Sequence, residues 1–466
     1  MKSFTRTGWW WLPLNADKRI YGTLSYSPHD GLELKVNGIF ESSIEEELFS
    51  LSKTYPFILG IDSRGRCISL VDCRVSRLTM SGGNWEFTAR PVFAFVGVHV
   101  DQSSQCRFRT VSVDYSGLLR WSGLRAFGHE VVSTEDKGGR HLVTEAREKI
   151  GPCCTTIGTV TISAGAAVQV SWHEASFKAV AHVFIQTGDA LDLQEWMRVF
   201  IRPFQEFLCL SADHGVNIES LTTYFPSSDH HGIAMAEEPV DVFFHPLYYD
   251  DGTMPRDFLL TYQDISDEWC SILDRWLQVH QELKPVMNFL FGNFFRPAFV
   301  ENRFINTIFA VEAYHRLRFQ NRADPEDVHE RRIAAIREAV LQGAPCHWPW
   351  LEKRLEYSNE PSLNRRIKDI IQHVRPVAEE LLGNSEARKA FVRQVVATRN
   401  SLAHPEGKPK DGAITGGPAL HWTTQRLAWL LKSCLLLEIG LDMDRVTKLV
   451  KRHPSFQNLA SIPVDS

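Results

Sequence analysis

The N-terminal part of the chain alternates apolar and polar residues, which is typical of half-buried β-strands. Residues 21–26 and 32–36 alternate in this way, and the turn-forming residues 28–31 separate them, so a hairpin is predicted. Similar short runs follow at 66–75, 85–98, 107–118, 158–162, 167–172 and 179–185. Many short strands with Gly, Asp and Ser between them predict a β-sandwich or a barrel-like sheet.

The middle of the chain mixes helical and strand patterns. An apolar stripe that begins at Leu193 predicts a helix over 192–211, and a second helical stretch is predicted over 264–291. Two short strands are predicted between these helices, at 216–224 and 240–244. Residues 191–299 are therefore expected to form a mixed, mainly helical connector.

From about residue 300 onward, apolar residues recur every three or four positions, which predicts helices throughout. The predicted helices cover 302–319, 325–342, 350–382 with breaks at Pro361 and Pro376, 385–403, 420–439 and 443–452. We expect an α+β multidomain protein with a β-sandwich-like N-terminal domain over 1–190, the connector, and an all-α helical bundle over 300–466.

Composition places the chain among globular proteins that lack a membrane span. Hydrophobic residues make up 44% and charged residues 23% of the 466 residues. No apolar run reaches the roughly eighteen residues of a membrane-spanning helix, and the first residues lack the apolar core of a signal peptide. We expect a cytoplasmic protein with no membrane partner.

The nine cysteines are scattered along the chain, include no CxxC pair and are not grouped with histidines at zinc-ligand spacing. This distribution is typical of small buried residues in a reducing compartment. Neither a metal site nor a cofactor is expected.

Charge is distributed unevenly along the chain. The net charge is −5, but residues 301–466 hold 25 Lys and Arg against 20 Asp and Glu, whereas residues 1–300 hold 26 against 36. A basic helical part suits contact with RNA phosphates, although an excess of this size also occurs on helical domains for solubility alone.

One short segment near the C-terminal end carries candidate chemistry: Arg399, Asn400 and His404, followed by Pro405. The helix is expected to end by Ala403, because the residue before a proline avoids the α conformation. Arg399 lies on the apolar face of this helix, where a charge must be paired or must point into a cavity. The break lets the His404 imidazole turn back toward the guanidinium.

This combination of residues suits cleavage of RNA, which supplies its own nucleophile in the 2′-hydroxyl group. His404 can exchange protons near neutral pH, Arg399 can hold two phosphate oxygens, and Asn400 can orient the phosphate or the ribose. The chemistry requires no metal ligand. The structural alternative is an arginine near a helix end followed by a surface histidine.

Arg399, Asn400 and His404 resemble the signature of HEPN-domain ribonucleases, and the whole chain resembles ApeA-type anti-phage proteins. In that family a long β-rich N-terminal region precedes an ApeA-like HEPN domain. The helix predicted over 302–319 also resembles the first helix of such domains, and it carries Glu312 on its apolar face. Glu312 is a candidate for the active site or a dimer interface; it can equally pair with Arg399 or another buried base, or border the core.

The resemblance implies a metal-independent endoribonuclease whose catalytic residues are Arg399, Asn400 and His404. It also implies a homodimer, or a higher homo-oligomer, in which two copies of the motif face each other. A structured RNA such as tRNA is the implied substrate, and abortive anti-phage defence is the implied role. The β region would restrain the nuclease or sense a phage-derived trigger.

Two further features keep alternatives open. The Gly- and Pro-rich segment after His404 carries Lys408 and Lys410, which suit RNA phosphates or are ordinary solvated charges; its composition predicts mobility. The many aromatic residues of the β region suit a hydrophobic core, or a glycan-binding or base-stacking surface. A second hypothesis is therefore a non-catalytic dimerisation or RNA-binding scaffold with a ligand- or glycan-binding β domain.

Overall fold

The computed structural model divides the chain into two compact units, residues 1–277 and 278–466. The residues expected to form a connector, 191–299, fall partly in each unit. The structure describes the chain except for residues 41–53, 82–83, 134–138, 174, 226–236, 249, 251, 253, 297, 404–410 and 465–466.

The N-terminal unit consists mainly of β-strands. The described strands are β1 (Phe4–Trp11), β2 (Ile20–Ser27), β3 (Gly31–Asn37), β4 (Thr54–Asp62), β5 (Cys67–Ser81), β6 (Asn84–Arg90), β7 (Phe93–Val96), β8 (Arg107–Tyr115), β9 (Phe127–Ser133), β10 (Gly139–Glu145), β11 (Lys149–Cys154), β12 (Thr159–Val170), β13 (Ala175–Asp192), β14 (Ile218–Phe225) and β15 (Glu238–Phe244). The predicted hairpin corresponds to β2 and β3.

Thirteen of these strands form one antiparallel sheet, and β9 and β10 form a separate hairpin. Six strands, in the order β5, β4, β1, β2, β3 and β6, close into a barrel because β6 pairs with β5 as well as with β3. The sheet continues from β5 through β7, β15, β14, β8, β13, β12 and β11. The expected β-rich fold is confirmed, and of the two arrangements considered, the strand pairing shows a closed barrel.

The aromatic run at the start of the chain shows how the strands bury one face. Trp10 is fully buried and lies opposite Gly60 of β4, whereas Trp9 is 51% exposed. A Cβ atom at Gly60 would lie 2.3 Å from the Trp10 ring, so only glycine leaves room for the indole there. Trp10 is therefore part of the core, while Trp172 is fully exposed on the surface.

Asp114 links three neighbouring strands of the open part of the sheet. Its carboxylate accepts hydrogen bonds from the Ser220 hydroxyl group on β14, at 2.5 Å, and from Nδ1 of His182 on β13. The hydrogen bond to Asp114 raises the pKa of His182, and it outweighs burial, which lowers that pKa. A protonated His182 therefore stabilises the alignment of β13, β8 and β14.

Short helices complete the N-terminal unit. They are α1 (Leu118–Ser122), α2 (Leu193–Trp196), a π-helical turn (Met197–Ile201), α3 (Arg202–Ala212) and α4 (Tyr262–Ile265). Helix α5 (Trp269–Glu282) runs across the boundary between the two units.

The C-terminal unit is helical, as predicted. Its helices are α6 (Lys284–Phe295), α7 (Val300–Arg318), α8 (Glu326–Gly343), α9 (Trp348–Leu355), α10 (Leu363–His373), α11 (Arg375–Leu382), α12 (Ser385–Ala403), α13 (Gly417–Glu438), α14 (Met443–Arg452) and α15 (Pro454–Ala460). Helix α13 is the most buried of these, and α12 packs against α7, α10 and α11. None of the described helices has the length and hydropathy to cross a membrane.

A buried charged network joins α7 to α10. Arg366, which is 2% exposed, donates to Nδ1 of His315 (3.1 Å), to the Glu360 carboxylate (2.9 Å) and to the Pro361 carbonyl group (3.1 Å). Because Nδ1 of His315 accepts a bond from a guanidinium, the ring proton is on Nε2, which donates to Asp369 at 3.0 Å. Burial lowers the pKa of His315, so the neutral ring is the stable form inside this network.

Replacing Arg366 by Met is expected to destabilise the C-terminal unit by about 3 to 5 kcal/mol, because it leaves Nδ1 of His315 and part of the Glu360 carboxylate without a donor. The matched control is Arg365→Met, since the neighbouring Arg365 pairs with Asp369, the acceptor of His315, but has a side chain that is 68% exposed. The control should cost about 1 kcal/mol or less. Urea unfolding, followed by the helical circular dichroism signal, measures both effects. Equal losses in the free energy of unfolding would show that the buried network stabilises the unit no more than the exposed ion pair does.

Replacing His182 by Gln is expected to lower the thermal unfolding midpoint most at acidic pH. A raised pKa means that the His182 contribution is fully present below about pH 6.5 and is lost as pH rises through the folded-state pKa. The difference between the wild-type and variant midpoints should therefore shrink as the pH rises above about 6.5. The exposed His173, changed to Gln, serves as the control; wild-type and His182→Gln profiles that run parallel would contradict the assignment.

Candidate functional site

Helix α12 carries Arg399 and Asn400 of the candidate motif, and its sequence accounts for its first turn. The Asn384 side chain accepts the N–H of Ala387 at 3.0 Å and so caps the first turn. The described part of the helix runs to Ala403, and the residues that follow, including Pro405, lie outside the described residues. Its buried face consists of Phe391, Val392, Val395 and Thr398. Arg399 and Asn400 are the two residues that follow Thr398 in the helix.

Arg399 and Asn400 lie in contact and are both partly buried. The Arg399 guanidinium donates to Oδ1 of Asn400 at 3.4 Å, which is a long hydrogen bond to a neutral acceptor. Within the described part of the chain, Arg399 has no carboxylate partner, whereas at least nine other arginines of this unit are paired with carboxylates. Among the described residues, most of the donors of Arg399 therefore have no acceptor.

The chain after the motif returns to the same helix turn. The Thr398 hydroxyl group donates to the Gln394 carbonyl group at 2.7 Å and accepts the backbone N–H of Ile414 at 3.0 Å. Thr398 is fully buried. Ile414 is thus held beside the residue that precedes Arg399.

His404, Lys408 and Lys410 lie outside the residues that the structure describes. Of the three predicted catalytic residues, the structure accordingly describes Arg399 and Asn400, and it places them together.

Glu312 lies on α7, partly buried, near Arg366 rather than in an ion pair with Arg399. Burial lowers the pKa of the Arg366 guanidinium, Arg316 lowers it further, and Glu360 and Glu312 raise it. Among the described residues Glu312 forms no ion pair of its own. The sequence left open whether Glu312 lies near Arg399 or near another buried base, and the base near it is Arg366.

The network of His315 and Arg366 is a feature that sequence reasoning did not identify. The signal was present, because His315 falls on the apolar face of α7, where a polar ring needs a partner. His315 is fully buried, and all its ring nitrogens are engaged by Arg366 and Asp369. A substrate cannot reach this imidazole, so the network is structural.

A second pair that the sequence did not indicate is Arg303 on α7 and His421 on α13. Burial lowers the pKa of His421, and the nearby Arg303 lowers it further. The Nε atom of Arg303 is buried and has no hydrogen-bond acceptor among the described residues. These residues are far apart in the chain, so no local motif could have revealed their proximity.

Where the structure describes side chains, no group of three or more His, Cys, Asp or Glu residues is placed to hold a metal ion. The candidate site consists instead of a guanidinium and a carboxamide.

Two protein families match the chain. The family described as ApeA N-terminal domain 1 matches residues 5–276, and the family described as Apea-like HEPN matches residues 305–445. The second match includes Arg399, Asn400 and His404. Comparison with curated proteins and with solved structures gave no match.

These matches confirm the resemblance that the motif and the architecture indicated. The first match alone covers more than half of the chain, and the second supports a function of the HEPN kind. The chain therefore belongs to the ApeA family, with an ApeA N-terminal domain 1 followed by an Apea-like HEPN domain.

Proposed function

We propose that this protein is a metal-independent endoribonuclease of the HEPN type. The observation that carries the proposal is the partly buried guanidinium of Arg399, which has a neutral carboxamide as its neighbour and no carboxylate partner in the described chain. A charge in such a position is stabilised by an anion from outside. A phosphate group of RNA accepts two parallel bonds from an arginine and supplies that anion.

The proposed reaction uses the nucleophile of the substrate. His404 accepts the proton of the 2′-hydroxyl group, whose oxygen bonds to phosphorus while the bond from phosphorus to the 5′-oxygen breaks. The leaving oxygen takes up a proton, and a histidine can supply it. Arg399 neutralises the charge that develops on the phosphate group, and Asn400 positions the phosphate group. The products carry a 2′,3′-cyclic phosphate and a 5′-hydroxyl end.

Each chain holds one copy of the motif, and HEPN ribonucleases act with two copies facing each other. We therefore propose a homodimer or a higher homo-oligomer with a composite site, to which Glu312 contributes at the site or at the interface. Lys408 and Lys410 follow His404 in the sequence and are proposed to contact the RNA backbone.

The biological role proposed is abortive defence against phage in the cytoplasm. Membership of the ApeA family supports this role, and structured RNA such as tRNA is the proposed substrate. The N-terminal unit would restrain the nuclease or respond to a phage-derived trigger. The basic excess of residues 301–466 is consistent with RNA contact in the helical unit.

Changing His404 to Ala is expected to reduce RNA cleavage by on the order of 10² to 10⁴, because proton transfer is lost. Changing Arg399 to Ala should cost about 100-fold or more, and Arg399→Lys should recover only part of this, since lysine keeps the charge but not the two-pronged geometry. The assay follows end-labelled tRNA with chelator present, with and without extract from phage-infected cells, and identifies cyclic phosphate ends.

The matched control is Arg393→Ala, which removes an exposed arginine from the same helix and should leave cleavage unchanged. Equal cleavage by wild type and His404→Ala would remove His404 from the mechanism. RNA binding without cleavage, even with infected-cell extract, would favour the non-catalytic scaffold.

Changing Thr398 to Val is expected to loosen the segment that follows the motif, because the buried hydroxyl group no longer accepts the Ile414 N–H. The loss of one buried hydrogen bond should cost about 1 to 2 kcal/mol. Tryptic cleavage after Lys410 should become faster, and RNA cleavage slower.

The control for this change is Thr447→Val on α14, whose hydroxyl group bonds only to the Met443 carbonyl group within its own helix. This variant should leave cleavage after Lys410 unchanged. If both variants have the same rate of proteolysis there, the bond from Ile414 to Thr398 does not hold the segment.

A further inference from the structure

A concave pocket in the N-terminal unit is lined by three arginines. Arg74 lies on β5, Arg90 is the last residue of β6, and Arg202 is the first residue of α3. The cavity has a volume of about 430 Å³, which is in the range of sites for small ligands. We refer to this feature as the arginine pocket.

Two of the arginines are held opposite each other by the strand pairing that closes the barrel. Arg74 and Arg90 are register partners of β5 and β6, so their side chains leave the same face of the sheet. Like charges in directly opposed positions repel and destabilise a sheet. Because the two strands are fixed by barrel closure, the backbone cannot relieve this repulsion by separating.

Two arginines of the pocket, Arg74 and Arg90, lack the side-chain partners that other arginines in this unit have. Arg6 and Arg66 both pair with Asp62, at 2.9 and 3.0 Å. By contrast, the side chains of Arg74 and Arg90 form no hydrogen bond or ion pair with any described residue, although both backbones pair within the sheet. Residues 1–300 hold 36 acidic residues against 26 basic ones, so the lack of partners does not reflect a shortage of carboxylates.

Arg202 lines the pocket and is partly buried. Burial lowers the pKa of its guanidinium, and Glu206, one turn further along α3, raises it. Glu206 is buried and does not line the pocket. None of the described residues that line the pocket is acidic.

The rest of the pocket wall is mostly apolar, with Gln205 and His245 as its other polar residues. Val92 and Leu247 are 47% and 44% exposed there, and Met197 lines it from the π-helical turn that immediately precedes Arg202. Single π-helical turns occur frequently at functional sites. A ligand that fits must have an anionic end for the arginines and an apolar body for this wall.

We propose that the arginine pocket binds a small phosphate monoester with an aromatic body, of the nucleoside 5′-monophosphate class. A phosphate monoester carries nearly two negative charges and three acceptor oxygens, which match several guanidinium groups. A single carboxylate would be satisfied by one arginine. The aromatic body covers the exposed Val92 and Leu247. This site does not depend on the activity of the C-terminal unit.

The test is calorimetric titration of the full chain with the four ribonucleoside 5′-monophosphates, the matching nucleosides and inorganic phosphate. At least one monophosphate should bind, at least about tenfold more tightly than its nucleoside or inorganic phosphate. Arg74→Ala and Arg90→Ala should each weaken binding by about tenfold or more. Arg77→Ala, an exposed arginine of the same strand outside the pocket, should change it by less than about twofold.

A second measurement separates a binding role from a structural one. Without ligand, Arg90→Ala should raise the Tm slightly, because it removes the repulsion of Arg74, while the rise in Tm caused by the monophosphate should disappear. Failure of all four monophosphates to bind, equal binding of the nucleoside, or an equal effect of Arg77→Ala would overturn the site. If inorganic phosphate binds as tightly as the monophosphate, the aromatic body of the ligand contributes nothing to binding and that part of the proposal is wrong.

Discussion

A buried or partly buried guanidinium needs acceptors, and this requirement organises the helical unit. Arg366 meets it completely, with His315, Glu360 and a backbone carbonyl group as acceptors. Meeting it fixes the tautomer of His315 and joins α7 to α10, which both pack against α12. The helix that carries the motif is therefore supported by elements whose relative position is set by a buried charge.

The same requirement applies to Arg399, which is partly buried. Its one internal hydrogen bond is long and goes to the neutral Asn400, so the charge is not balanced within the described chain. An arginine that is already paired with carboxylates has few N–H donors left for a phosphate. Most N–H donors of Arg399, by contrast, have no acceptor among the described residues. Arg366 and Arg399 belong to the same bundle, yet only Arg366 has a carboxylate acceptor among the described residues.

Much of the fold follows from local pattern, and the parts that do not follow depend on distant pairing. Helical spacing predicted α7, α12 and α14 closely, and proline positions predicted the breaks around α10 and α11. The strand β1 was not predicted, because three consecutive tryptophans hide the alternation that Gly60 imposes on Trp10. Barrel closure through β5 and β6 is a tertiary choice that no short window contains.

The two candidate sites differ in this respect for a physical reason. Arg399 and Asn400 are neighbours in the sequence, so a short motif is sufficient to find them. Arg74 and Arg90 become neighbours only through the register of β5 and β6, and Arg202 joins them from a helix. A sequence shows that a residue is charged, but whether the charge is compensated depends on which strands pair. The structure therefore shows what the sequence cannot, namely which guanidinium groups lack a carboxylate partner among the described residues. These groups mark one candidate anion site in each unit.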